Sequence, residues 1–114
     1  MTLTLSSSFQ PYNNNSVNNI RLYKCANVVY CSGVITPKNT IAASINQTTI
    51  ATVPSGYRPV LGIRQVMHGS NQNLWLLEVD SEGNMSFARY AAGDTFKDAP
   101  NGTWLPISTT WITN

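Results

Sequence analysis

Leu74-Trp75-Leu76-Leu77-Glu78-Val79-Asp80-Ser81-Glu82-Gly83-Asn84-Met85-Ser86-Phe87-Ala88-Arg89-Tyr90 decides the fold of this 114-residue chain. Two apolar-rich runs flank an acidic-glycine turn, the signature of a β-hairpin. A three-residue loop, Ser81-Glu82-Gly83, puts Gly83 in the left-handed conformation and so fixes the register. Val79 then faces Met85, Leu77 faces Phe87, and Trp75 faces Arg89 as a cation–π pair. On the opposite face Glu78 meets Ser86, Leu76 meets Ala88 and Leu74 meets Tyr90. That face is polar beside the loop and apolar at the open end. An apolar patch of this kind needs a cover, so Leu74, Leu76 and Tyr90 are expected to form an oligomer interface.

Strand patterns continue on both sides of the hairpin. Ile20 to Cys25 and Val28 to Ile35 read as a second hairpin, joined at Ala26-Asn27. Val28-Val29-Tyr30-Cys31 is apolar on both sides, which predicts burial on both faces, against a second sheet or another subunit. Thr48 to Val53, Leu61 to Met67 and Trp104 to Thr113 supply further strands, with Pro106 suited to an edge or bulge. Thr36 to Gln47 and Ala92 to Thr103 read as loops. Residues 1–16 are rich in Ser and Asn and are expected to be a connector low in regular structure, with 17–114 as one β-sandwich domain. No segment longer than a turn has helical periodicity.

Composition narrows the function. Charged residues make up 11% of the chain, against the usual ~25%. Neutral polar residues take their place: 13 Asn, 12 Thr and 11 Ser. The formal net charge is +2, with three Lys and four Arg spread along the chain. Without a basic stripe, nucleic acid is not an expected partner. No apolar run approaches the ~20 residues that span a bilayer, so no membrane insertion is expected. If Ala26-Asn27 is a two-residue turn, Cys25 pairs with Val28 and Cys31 with Leu22. The two thiols then point to opposite faces and do not bridge.

Nothing in the sequence assembles a catalytic constellation. His68 is the only histidine, and no Gly-x-Ser-x-Gly elbow accompanies it. Glu78 and Asp80 lie on one strand face beside a turn, not across a cleft as glycoside hydrolysis requires. No metal or cofactor is expected, and the chain is expected not to be an enzyme. Saccharide binding needs an aromatic platform with polar groups around it. Trp75 is the candidate platform, beside Arg89 and the loop that carries His68, Asn71 and Asn73. Asp94 is a further candidate for holding a sugar hydroxyl.

Val53-Pro54-Ser55-Gly56-Tyr57-Arg58-Pro59, followed by the hairpin closed at Asp80-Ser81-Glu82-Gly83-Asn84, resembles the C-terminal head domain of bacteriophage tail-fibre and baseplate receptor-binding proteins. The resemblance covers about residues 17–114 and extends to the Leu22-to-Val29 hairpin and the hydroxyl-rich Ile107-to-Thr113 strand. It implies an antiparallel β-sandwich or jelly-roll-like barrel that assembles as a homotrimer at the virion's tail tip. It implies non-catalytic binding of a host cell-wall saccharide, with other tail or baseplate proteins as neighbours. Trp75, His68, Asp94 and Arg89 have the residue types such heads use. The alternative is a structural trimerisation or capping domain with no ligand of its own. Residues 1–16 would join the head to a neck or shaft.

Overall fold

The computed structural model describes all residues from Met1 to Asn114 as two antiparallel sheets packed face to face. Strands β1 (Phe9–Pro11), β2 (Arg21–Cys25), β3 (Val28–Pro37) and β9 (Leu105–Ile112) form one sheet. Strands β4 (Thr48–Thr52), β5 (Ile63–His68), β6 (Leu74–Val79), β7 (Asn84–Ala92) and β8 (Thr95–Phe96) form the other. In the first sheet β3 is central. β2 and β1 pair along one of its sides in succession, and β9 along the other. The second sheet runs β4-β7-β6-β5, with β8 continuing the β4 side of β7. The only helical turns are three-residue 3-10 turns, and no helix is long and apolar enough to cross a membrane.

Period-two alternation builds the core. β9 shows it most clearly: Leu105, Ile107, Thr109 and Trp111 point inward, while Ser108, Thr110 and Ile112 face out. Facing them from the second sheet are Met67, Trp75, Leu77, Val79, Met85 and Phe87, all buried. An aromatic cluster fills one end. Phe87 lies 5.4 Å from Trp75, 5.9 Å edge-on from Phe9 and 6.2 Å from Tyr90, ring centre to ring centre.

Both hairpins near their turns follow the sequence. Cys25 pairs with Val28 and Leu22 with Cys31. Cys25 is consequently exposed and Cys31 buried. In the second hairpin Val79 pairs with Met85 and Leu77 with Phe87, with Gly83 at φ 92°. Asp80 braces this turn, its carboxylate accepting from the Glu82 and Asn84 amides and from the Asn84 side chain.

The Pro54-to-Pro59 segment is a buckle between the sheets. The Arg58 guanidinium donates to the Val53 carbonyl at 2.8 Å, Trp111 Nε1 to the Tyr57 carbonyl at 2.7 Å, and Thr113 Oγ1 to the Arg58 carbonyl at 2.6 Å. Gly83 packs directly beneath it. A Cβ there would strike the Val53 carbonyl oxygen and the Arg58 side chain.

Three expectations are corrected. Residues 1–16 are built into the sandwich, not strung out as a connector. Leu3 and Phe9 are core residues, and Leu5 packs against that core. Leu3 N donates to the Ile20 carbonyl and Ser6 N to the Ile50 carbonyl, so the segment stitches an edge of one sheet to an edge of the other. Hydrophobic burial of those side chains outweighs the weak strand propensity of the Ser and Asn around them.

The open end of the β6–β7 hairpin also differs. A bulge shifts the register, so Leu74 pairs with Ala91 while Leu76 still pairs with Ala88. Arg89 takes φ 60° in the bulge. One extra residue turns Tyr90 to the inner face, where it is buried. Trp75 therefore makes no pair with Arg89, and Tyr90 is not on the outer apolar face.

Finally, Val29 and Cys31 are buried but Val28 and Tyr30 stay exposed. A cover for that side of β3 is not supplied by this chain.

Candidate functional site

Trp104 is the exposed aromatic that sits beside the predicted His68 loop. β5 ends at His68, and Gly69 leads into the Ser70–Gln72 turn. Asn71 and Gln72 both adopt left-handed backbone, at φ 57° and 63°, and Asn73 returns the chain to β6. Asn tolerates that conformation better than most side chains, whereas Gln72 is held in it against its preference. The loop is pinned from below and from the side. Gly69 N donates to the Asn73 carbonyl at 2.7 Å, and Trp75 Nε1 to the His68 carbonyl at 2.8 Å. Asn73 Nδ2 donates to the Tyr90 hydroxyl at 3.0 Å within the core. The Trp104 backbone amide donates to Ser70 Oγ at 2.8 Å, tying the main chain there to the loop. Gly69 has to be glycine here, because a Cβ would lie 2.9 Å from the Tyr90 ring.

These anchors create a recess of about 460 Å³ lined by Met67, His68, Gly69, Gln72, Trp104, Pro106 and Ser108. It lies at the seam where β5 meets β9, which the Thr109 hydroxyl closes by donating to the Gln65 side-chain carbonyl. Trp104 is 41% exposed, enough to offer an indole face to a ligand. His68, Gln72 and Ser108 line the same recess. The recess surface is mainly apolar, which suits the C–H face of a pyranose, and His68, Gln72 and Ser108 are the lining residues with hydrogen-bonding groups for its hydroxyls.

The six predicted ligand residues divide. His68 lines the recess, and Asn71 is exposed on the same loop. Trp75 is only 1% exposed and cannot stack on a sugar; its indole holds the loop from inside. Asn73 is likewise a buried brace. Arg89 lies elsewhere, its guanidinium 5.2 Å over the Phe96 ring. Asp94 sits exposed in the turn before β8.

Of the predicted interface residues, Leu74 is 42% exposed and Leu76 half-buried on the outer face of the second sheet, while Tyr90 is in the core. Val66, which pairs with Leu76, is more exposed than either. Sequence reasoning missed Trp104 and Val66. Val66 carried a signal, since it sits at an outward position of an alternating strand. Trp104 carried none beyond its type.

Two of the three carboxylates of the β6–β7 hairpin, Glu78 and Asp80, are engaged in structure. Glu78 pairs with Arg64 at 2.9 Å across to β5. Hydrogen bonds from Asn84 above all, through its side chain and backbone, hold the Asp80 carboxyl below its ordinary range.

Compared with known proteins, the chain matches no protein-family model and no curated protein.

Proposed function

We propose that this domain is a non-catalytic receptor-binding head from a bacteriophage tail fibre or baseplate, binding a bacterial cell-surface saccharide through the Trp104–His68 recess. The observation that carries the reading is the exposed Trp104, its backbone tied to Ser70, in one recess with His68, Gln72 and Ser108. In this reading the sandwich is a jelly-roll-like head, carried at the virion's tail tip beside other tail proteins. Three heads assemble through the outer face that bears Val66, Leu74 and Leu76. A single shallow sugar site binding near ~1 mM is worth about −4 kcal/mol, and joining three on one tip raises avidity by orders of magnitude.

The test is binding of purified host wall polysaccharide by the native domain and by Trp104→Ala. Loss of at least tenfold in affinity with the fold retained, read from the circular dichroism spectrum at the assay temperature, is expected. Undiminished binding by the variant would remove the recess as the site.

A purely structural trimerisation or capping role is the second reading. The exposure of Val66 and Leu74 favours it, because burial of that face needs a sister copy but no ligand. A trimer that binds no wall fraction at millimolar concentration would select it.

A further inference from the structure

We propose a second binding site, distinct from the Trp104 recess, that takes an oxyanion carried on a sugar or polyol. It is a groove of about 600 Å³ between the Ile41–Gln47 loop and the Phe87-to-Tyr90 stretch of β7, with Phe96 of β8 and Lys97 beside it. Its volume lies within the range of small-ligand sites.

The cations of this chain point to it. Lys24 donates to the Gly56 and Asn114 carbonyls, Arg21 to the Val17 and Ser16 carbonyls, and Arg58 to the Val53 carbonyl. Arg64 pairs with Glu78. Lys38, Arg89 and Lys97 are the three whose side chains hold no polar partner. Two of those three, Arg89 and Lys97, line this one groove.

Arg89 is also presented in an unusual way. Its backbone at φ 60° is disfavoured for a residue with a Cβ, and the bulge turns it out of the strand. The guanidinium lies 5.2 Å over the Phe96 ring, which orients its planar fork without consuming any N–H donor. A carboxylate or phosphate accepts two such donors at once.

The opposite wall is fixed in place. Asp98 accepts from the Ala43 amide at 2.8 Å, Ile41 and Ala99 exchange backbone hydrogen bonds, and Gln47 Nε2 donates to Ser86 Oγ at 2.7 Å. Glu78 is the one carboxylate on the groove lining, and Arg64 already neutralises it. Asp98 adds a second carboxylate behind the Ala43 wall, so Arg64, Arg89 and Lys97 against Glu78 and Asp98 leave the groove a formal charge of +1. The exposed Ile45 and Phe96 offer apolar surface to the carbon skeleton that carries the anion.

The experiment is a two-dimensional NMR titration of the intact domain with trigalacturonate, glycerol 3-phosphate and neutral maltotriose. It includes Arg89→Asn, which suits left-handed backbone, and Trp104→Ala. Saturable shifts of the Arg89 side-chain N–H and of the Ala43-to-Gln47 amides are expected with at least one anion. They should weaken severalfold between low and physiological salt and vanish in Arg89→Asn. Tighter binding of trigalacturonate assigns a sugar carboxylate as the source, and tighter binding of glycerol phosphate assigns a phosphodiester. Trp104→Ala should leave these shifts intact, so failure of the saccharide recess and failure of this site are separable. Equal shifts from maltotriose, persistence in Arg89→Asn, or no movement of groove resonances with either anion would overturn the proposal.

Discussion

Two tryptophans of the same sequence type have opposite roles because of burial alone. Trp75 is 1% exposed among Phe87 and the rest of the core, and Trp104 is 41% exposed. Trp75→Ala is expected to lower stability by about 3–5 kcal/mol, the usual cost of deleting a buried aromatic. Trp104→Ala should cost clearly less than Trp75→Ala, because much of its surface is already in water. Urea unfolding of both variants measures the contrast. The two cysteines part company for the same reason. Burial pushes the Cys31 thiol up to about 12, so it holds no appreciable thiolate at neutral pH, whereas Cys25 is open to solvent. One thiol per chain should react with a water-soluble disulfide reagent in the native protein, and two after unfolding. Reaction of both in the native state would contradict the burial of Cys31.

At the scale of elements, the β6–β7 turn is held by one carboxylate. Asp80 is more acidic in the folded chain than its ordinary value near ~4, chiefly through the Asn84 side-chain hydrogen bond. A depressed folded-state value means that its contribution is fully present above the unfolded value. It disappears as pH falls through the lower, folded one. The stability difference between the native protein and Asp80→Ala should therefore be constant from pH 7 to about 5 and shrink as pH falls toward 2. A difference that grows on acidification would refute this. In the same turn Gly83 meets two demands, a φ of 92° and close packing under Val53 and Arg58. Gly83→Ala should cost more than about 1 kcal/mol from the backbone conformation alone, with the steric conflict in addition, read as a lowered melting temperature.

For the whole molecule, the segment before Ser16 is part of the cooperative unit. Phe9 packs edge-on against Phe87, and Leu3 is 2% exposed. Leu3→Ala and Phe9→Ala should each destabilise by about 2–5 kcal/mol, where a connector would lose nothing. At the same scale lies the outer face of Val66, Leu74 and Leu76. If sister copies cover it, light scattering should give three times the 12.5 kDa chain mass, and Val66→Glu should give the single-chain mass with the fold retained.

The sequence by itself determined the strand class and the register near each turn. Gly83, the Asp80 acceptor and the two-residue Ala26-Asn27 link act through bonds between residues close along the chain. Alternation then carried inward and outward faces along β6 and the first half of β7. Only the tertiary structure decided what lies beyond the bulge at Arg89. One inserted residue reverses every side chain after it, and nothing local marks the place. That reversal moved Tyr90 into the core and separated Arg89 from Trp75. Long-range packing likewise brought Leu3 and Phe9 into the sandwich and set Trp104 beside His68 across the seam between the sheets. Contacts between residues 30 or more positions apart depend on how two layers stack, a property that no short window of sequence contains.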